Sequence, residues 1–253
     1  MDLGLRGVPA LVTGASRGLG RAIALALAAE GARVAVDYRG DAAPAEDCAA
    51  ACREAGAEDS VALRADVSSE EDIEALFDAI AERWGRLRIL VNNAASCPRA
   101  RAADTSLELW RTTLDTNLTG AFLSSRAFLR RYDPAVGWGR IVNIASPAAF
   151  IGSTSGQAAY DASKGGLLSL TRALSREAAS MGVTVNAVVP GLMLTEMTAD
   201  RFLASRDATL GRLPLRRFGD PEEIAAVVAF ICGDKASYMS GAAVDVTGGL
   251  LMH

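Results

Sequence analysis

The feature that most limits what this chain can become is a rhythm, in which short β-rich apolar runs alternate with long Ala-rich helical stretches. The first run, Val8 to Thr13, is followed by a helical stretch from Leu19 to Glu30, which Gly31 stops as the residue just past the helix end. Further strands are predicted at Arg33 to Asp37, Ser60 to Ala65, Arg88 to Asn92, Arg140 to Ala145, Val183 to Val189 and Ala242 to Val246. Each is short and poor in polar alternation, as strands buried on both faces are. Helices are predicted at Pro44 to Glu54, Glu70 to Trp84, Ser106 to Arg131, Ala158 to Ala179 and Pro221 to Cys232. Repetition of strand, helix and strand calls for parallel pairing through right-handed crossovers. The expected fold is therefore α/β, a doubly wound parallel sheet of about seven strands with helices on both faces. No Pro/Ser-rich linker or low-complexity tract interrupts the chain, so residues 1–253 are read as a single domain.

Composition removes several function classes. The net charge of −4 offers no basic face for nucleic acid. The start of the chain lacks a charged-then-apolar signal pattern, and the longest apolar run, Ala225 to Cys232, is far too short to span a bilayer. A cytoplasmic protein is expected. Cys48, Cys52, Cys97 and Cys232 show no CxxC spacing, which points to reduced thiols. The only histidine is His253, at a position where a frayed terminus makes a poor base or ligand. Ser-His-Asp hydrolysis, Cys-His proteolysis and His-ligated zinc are excluded together, and no metal is expected.

The stretch Thr13-Gly14-Ala15-Ser16-Arg17-Gly18-Leu19-Gly20 lies where the first strand turns into the first helix. Backbone N–H groups and the helix dipole make such a turn a pyrophosphate site. Its glycines are spaced four then two, unlike the general GxGxxG dinucleotide fingerprint.

That TGxxxGxG spacing, with Asn92-Asn93-Ala94-Ala95, Asn117, Ser146, Tyr160-Asp161-Ala162-Ser163-Lys164 and Pro190-Gly191, resembles the short-chain dehydrogenase/reductase family over essentially the whole chain. Asn117-Leu118-Thr119-Gly120, Gly156-Gln157 and the segment from Pro214 to Ile224 are most similar to reductases of the 3-oxoacyl-[acyl-carrier-protein] type. The resemblance implies a Rossmann-type sheet and a nicotinamide coenzyme. By it, Gly14, Ser16, Arg17 and Leu19 line the coenzyme phosphates, Asp66 and Val67 hold the adenine, and Asn93 lies beside the adenosine ribose. A plain alternative for Asp66 is a cap before the helix at Ser69.

Coenzyme choice turns on the end of the second strand, where an acid would bind a ribose 2′-OH and repel a 2′-phosphate. Asp37 first suggests NAD. Counted from Gly31, however, the family's NAD-selecting acid falls on Tyr38, and the phosphate-binding position is Arg39. Arg17 is a second cation aimed at the same place. NADP is the expected coenzyme, with NAD as the alternative.

Tyr160 and Lys164 are four apart at the start of a helix, so they share one face. A tyrosine pKa near 10 must fall by roughly two to three units, about 3–4 kcal/mol, for acid–base work near neutrality. Of the 26 basic residues only Lys164 and Lys235 are lysines, so a Lys at this position suggests that a compact ammonium is required. By resemblance, Lys164 also binds the nicotinamide ribose, Ser146 bonds the substrate carbonyl, and Asn117, polar in mid-helix, holds a proton-relay water. The implied reaction is hydride transfer to a carbonyl carbon while Tyr160 protonates the oxygen. Three departures from the family pattern bear on the substrate pocket: Ala95 replaces a glycine, one extra residue lies between Ser146 and Tyr160, and Pro147 and Ala149 alter that loop.

After Pro190-Gly191, Leu192 to Leu213 should form a lid, with Thr195 reaching the nicotinamide and Met193, Leu194, Met197 and Phe202 lining an apolar wall. Cys97 to Arg101 and Phe150 complete the mouth. Arg126, Arg130, Arg131 and Arg176 could steer an acidic acyl carrier protein. The same helices commonly form the subunit interface in the family, and a homotetramer or homodimer is implied. An NADPH-dependent ketoreductase is the leading expectation. An alcohol, diol or sugar dehydrogenase working oxidatively, and an inactive nucleotide sensor, are the alternatives; the sensor predicts loss of the Tyr, Lys or Ser that this chain retains.

Overall fold

A computed structural model describes residues 2–153, 156–196 and 198–252, save the side chains of Asp200 and Arg201. Met197, expected in the apolar wall, and His253 lie outside the described residues. Seven strands, β1 (Pro9–Val12), β2 (Arg33–Tyr38), β3 (Asp59–Arg64), β4 (Ile89–Asn92), β5 (Gly139–Ile144), β6 (Val183–Pro190) and β7 (Ala243–Val246), form one sheet. Their order is β3-β2-β1-β4-β5-β6-β7, and every neighbouring pair is parallel.

Among the described residues ten α-helices connect them: α1 (Gly18–Ala29), α2 (Ala43–Ala55), α3 (Glu70–Trp84), α4 (Leu107–Leu114), α5 (Gly120–Arg131), α6 (Ala148–Ile151), α7 (Ala158–Glu177), α8 (Ala199–Ala204), α9 (Arg206–Gly211) and α10 (Pro221–Cys232). Successive strand side chains point to opposite faces, so the apolar strands feed cores on both faces of the sheet. Ala10 and Val12 join Ile23 and Leu27 of α1, Cys48 of α2 and Val228 of α10 on one face. Leu11, between them, joins Leu76 of α3, Phe128 of α5 and Leu174 of α7 on the other. This is why the strands read as unbroken apolar runs. Among the described residues no helix is long and apolar enough to cross a membrane.

A buried polar ladder crosses the second face. Asn92 of β4 lies opposite Asn143 of β5 in the register, and Asn92 Nδ2 donates to Asn143 Oδ1 at 2.8 Å. Asn143 Nδ2 in turn donates to Thr171 Oγ1 of α7 at 2.9 Å. These bonds pair polar groups that would otherwise be costly to bury, and they fix α7 against the centre of the sheet.

The helix predicted from Ser106 to Arg131 is interrupted. Residues Asp115–Thr119 form a π-helical turn between α4 and α5. The wider turn carries Asn117, whose side chain is held by two other segments, and leads into Gly120, where a Cβ would lie 2.9 Å from Val67 O. A single π turn of this kind marks a place where tertiary bonds outweigh the regular ladder.

Candidate active site

Because β1 lies between β2 and β4, the connections leaving it and its neighbour diverge and open a crevice at the carboxyl ends of the strands. The glycine loop fills the floor of that crevice. Gly14 takes φ +60°, and a Cβ there would meet Ala94 Cα at 2.9 Å. At Gly20 a Cβ would fall on Gly14 O and 2.5 Å from Asn93 Nδ2, so the start of α1 approaches the loop closely only as glycine. Thr13 and Asn93 sew the loop to the end of β4. Thr13 Oγ1 accepts from the N–H groups of Asn93 and Ala94, both at 3.0 Å, while Asn93 Nδ2 donates to Thr13 O at 2.9 Å and Gly14 O at 3.1 Å. Unlike α3 and α10, α1 has no acidic residue in its first turn and no side-chain cap at Arg17. Its N–H groups and dipole are therefore left for an anion, which fits a coenzyme pyrophosphate. Ser16 and Leu19 are half-buried beside Arg17, which is exposed.

Asp37 behaves unlike a ribose-binding acid. Its side chain turns inward, and Oδ2 accepts from Gly14 N at 3.0 Å. The residue is 1% exposed. Burial pushes its carboxyl up to about 7 against the bond from Gly14, with the negative charge of Asp66 adding to the rise. Asp66 is held differently. Ser68 donates to Asp66 Oδ1 from its N–H at 2.9 Å and its hydroxyl at 2.6 Å, and Arg39 Nη1 lies 3.6 Å from Oδ2. Burial opposes ionisation, but these bonds and the Arg39 charge outweigh it and hold the carboxyl below its usual range. The cap of α3 is Ser69, whose side chain accepts from Asp72 N, so the capping alternative for Asp66 does not hold. Val67, next to Asp66, is buried against Gly120.

Tyr160 and Lys164 occupy the first turns of α7, and Lys164 Nζ lies 5.7 Å from the centroid of the Tyr160 ring. The lysine is 2% exposed and donates to Ile144 O, at the end of β5, at 2.6 Å. Burial lowers its pKa to about 8. The folded protein thus bears a penalty on the order of 3 kcal/mol for the charged form below pH 8, which fades as pH rises from 8 towards 10.5. Two residues beyond Ile144, Ser146 Oγ accepts from Ala148 N at 3.2 Å, which leaves the hydroxyl hydrogen to donate elsewhere. A short helix, α6, begins two residues after Ser146.

Asn117 is 1% exposed and joins two segments. Its Oδ1 accepts from Ser96 N at 2.7 Å, and its Nδ2 donates to Ser96 O at 2.8 Å and to Ser163 Oγ at 3.0 Å. Ser163 then donates to the carbonyl of Tyr160 at 2.6 Å, so Asn117 reaches the tyrosine through one side chain. Sequence reasoning missed Ser96, Ser163 and Thr13 as partners, because each acts through a contact made only in the folded chain. The polar Asn in an apolar-periodic segment was the one visible sign of this node.

The segment after Pro190, the last residue of β6, carries α8 and α9. Met193 bridges to Gly219. Thr195 and Glu196 lie over Gly18, and a cleft of about 430 Å³ is lined by Gly18, Leu194, Thr195, Glu196, Ala199 and Pro221. A cavity of about 220 Å³ between α3 and α5 touches none of these residues. Phe202, expected in a pocket wall, is buried and stacks on Phe218, beyond the lid, with centroids 5.6 Å apart. The expected basic face of α5 is also neutralised. Arg126 pairs with Glu70, Arg130 with Glu74, and Arg131 with Glu74 and Asp78, all acids of α3.

Residues 14–251 match the family described as enoyl-(acyl carrier protein) reductase. The chain belongs to the short-chain dehydrogenase/reductase family, and it is a nicotinamide-dependent oxidoreductase acting between CH–OH and C=O. It is similar to the 3-oxoacyl-[acyl-carrier-protein] reductase of Pseudomonas aeruginosa, with 43% identity over 250 residues covering 99% of this chain and 100% of the relative. The Synechocystis sp. enzyme of the same description is 39% identical over 244 residues, 96% of each chain. Two solved structures share the fold. A protein of Sinorhizobium meliloti 1021, provisionally assigned as a short-chain alcohol dehydrogenase, aligns with TM-score 0.91 and 39% identity over 99% of this chain and 98% of that one. One of Agrobacterium tumefaciens, provisionally assigned as a gluconate dehydrogenase, aligns with TM-score 0.94 and 35% identity over 100% and 99%.

Replacing Asn117 by Ala takes their partner from the half-buried N–H and C=O of Ser96 and from the buried hydroxyl of Ser163. We expect a loss of about 2–4 kcal/mol in urea unfolding, read as a lower midpoint at unchanged slope. A change under about 0.5 kcal/mol would show that Asn117 does not hold the Ser96 segment.

Proposed function

We propose that the chain is an NADPH-dependent ketoreductase that reduces the carbonyl of a 3-oxoacyl thioester, with Tyr160 as proton donor. The observation that carries this reading is the Tyr160–Lys164 pair, one helical turn apart, with the lysine ammonium buried against β5 two residues before Ser146. The bound coenzyme supplies the hydride. Tyr160 gives its phenolic proton to the carbonyl oxygen, and the hydroxyl of Ser146 donates to the same oxygen, so two donors meet the charge that develops there. Lys164 places a positive charge beside the phenol and favours its ionised form, which brings the proton within reach near neutrality. Asn117 fixes Ser96 and Ser163 around the tyrosine and holds the water that returns the proton.

For the coenzyme, Gly14, Ser16, Arg17 and Leu19 take the phosphates on the loop and the N-terminus of α1. Asp66 and Val67 take the adenine, Asn93 stands beside the adenosine ribose, and Lys164 binds the nicotinamide ribose. Pro190, at the end of β6, and Thr195, in a lid spanning 192–213, meet the nicotinamide within one domain. NADPH is favoured over NADH because Asp37 directs its carboxylate to Gly14, so no acid at the end of β2 is left to hold a ribose 2′-OH, while Arg39 is exposed there. To meet a 2′-phosphate, Arg39 exchanges Asp66 for the stronger anion. The acyl thioester comes from the curated relatives, and the ion-paired α5 arginines give no support for steering a carrier protein. An oligomer built through the α4–α5 stretch and α7 accounts for the exposed Leu107 and Phe122. The two provisionally assigned dehydrogenase structures favour a second reading, oxidation of an alcohol or sugar acid by the same residues.

Tyr160→Phe should lower kcat with acetoacetyl thioesters by about 10²–10⁴-fold while NADPH affinity changes little; near wild-type turnover would remove the proton-donor role. Arg39→Ala should reduce the ratio of kcat/KM for NADPH over NADH by at least about tenfold, the equivalent of 1.4 kcal/mol. An unchanged ratio would remove Arg39 from coenzyme selection.

A further inference from the structure

The carboxyl group beneath the glycine loop has no part in the chemistry above, yet it is bonded to the loop on which that chemistry depends. Asp37 receives both of the first N–H groups of the loop: Gly14 N donates to its side chain at 3.0 Å, and Ala15 N donates to its carbonyl at 2.8 Å. The second carboxyl oxygen, Oδ1, is buried and has no partner among the described residues. The charged groups that face it are Asp66, just past β3, and Asp72 of α3, both negative. Of the cations on and just past its strand, Arg33 pairs with Glu58 and Arg39 turns to Asp66. No ion pair reaches Asp37 among the described residues. A carboxylate so placed is short of compensation even before a ligand arrives.

We propose that Asp37 is a positioning residue for the coenzyme, and that coenzyme binding takes up one proton from water at Asp37. The neutral carboxyl group keeps one oxygen to accept from Gly14 and removes a negative charge from beneath the phosphates. In the ionised form the same oxygen still holds the loop, but the buried charge repels the pyrophosphate through a poorly screened interior. Because burial already holds this group near 7, the free protein is partly ionised at neutral pH and the uptake is measurable there. Added phosphate charge moves the balance further towards the neutral form. This inference rests on the coenzyme reading given above.

The test is isothermal titration of the full chain with NADPH and with NADH from pH 6 to 8.5, in two buffers of different ionisation enthalpy. NADH controls for titration of the 2′-phosphate. Wild type should take up close to one proton per coenzyme near pH 8, and its affinity should fall up to about tenfold per pH unit above the free group's titration. Asp37→Asn keeps an acceptor for Gly14 and cannot titrate. Its affinity should stay flat over the same range, without buffer-dependent heat. Asp37→Ser serves the same purpose if the Asn variant does not fold. Equal proton uptake by wild type and variant, or none by wild type at any pH, overturns the inference while leaving the coenzyme reading intact. Failure of wild type to bind either coenzyme overturns both.

Discussion

All seven strands run the same way, so all seven carboxyl ends lie along one edge of the sheet, and β1 divides the order there. Gly14 follows β1, Asp37 lies in β2, Asp66 follows β3, Asn93 follows β4, Ser146 follows β5 and Pro190 ends β6. Residues far apart in the chain therefore meet at one crevice because parallel pairing brings every strand back to it. Right-handed crossovers place α1, α2 and α10 on one face and α3, α5 and α7 on the other, which leaves that edge open. Reversing a single strand would send its terminal residue to the far side.

Loops at such an edge have no ladder to hold them, and side chains supply the missing partners. Thr13 and Asn93 lock the glycine loop to β4, Asn117 locks the Ser96 segment to α7, and Lys164 locks α7 to β5. Most of these bonds satisfy a backbone group that is at least half-buried, and each orients a functional segment. The arrangement costs stability where it buries charge. Lys164 and Asp37 both have their charged forms disfavoured by desolvation, one on each side of the crevice floor. Buried titratable groups of this sort concentrate where proton or anion chemistry occurs.

Much of the fold was legible because its signals are local. The strand runs and Ala-rich stretches differ in period and length, and Gly31 and the proline at Pro221 mark helix ends and starts. Strand ends shifted by only a residue or two; the run beginning at Arg88 starts as a strand at Ile89, for example. The interruption at residues 115–119 was not legible, since apolar periodicity continues through it and its cause is a set of bonds to Ser96 and Ser163. The same holds for α5, whose arginines look like a basic face until α3 is seen to carry their partners. Asp37 shows the limit most clearly. Counting from Gly31 already set it aside as the ribose acid, but only the structure shows that its side chain faces the loop from below.

The central claim is that this crevice passes a hydride from NADPH to the carbonyl of a 3-oxoacyl thioester. Incubation with NADPH deuterated at one face of C4 and an acetoacetyl thioester, followed by mass and proton spectra of the product, tests it directly. The account predicts one deuterium on C3 of the 3-hydroxyacyl product from one of the two C4 faces and none from the other. Recovery of unreduced thioester from both, under conditions in which the coenzyme is bound, would contradict it.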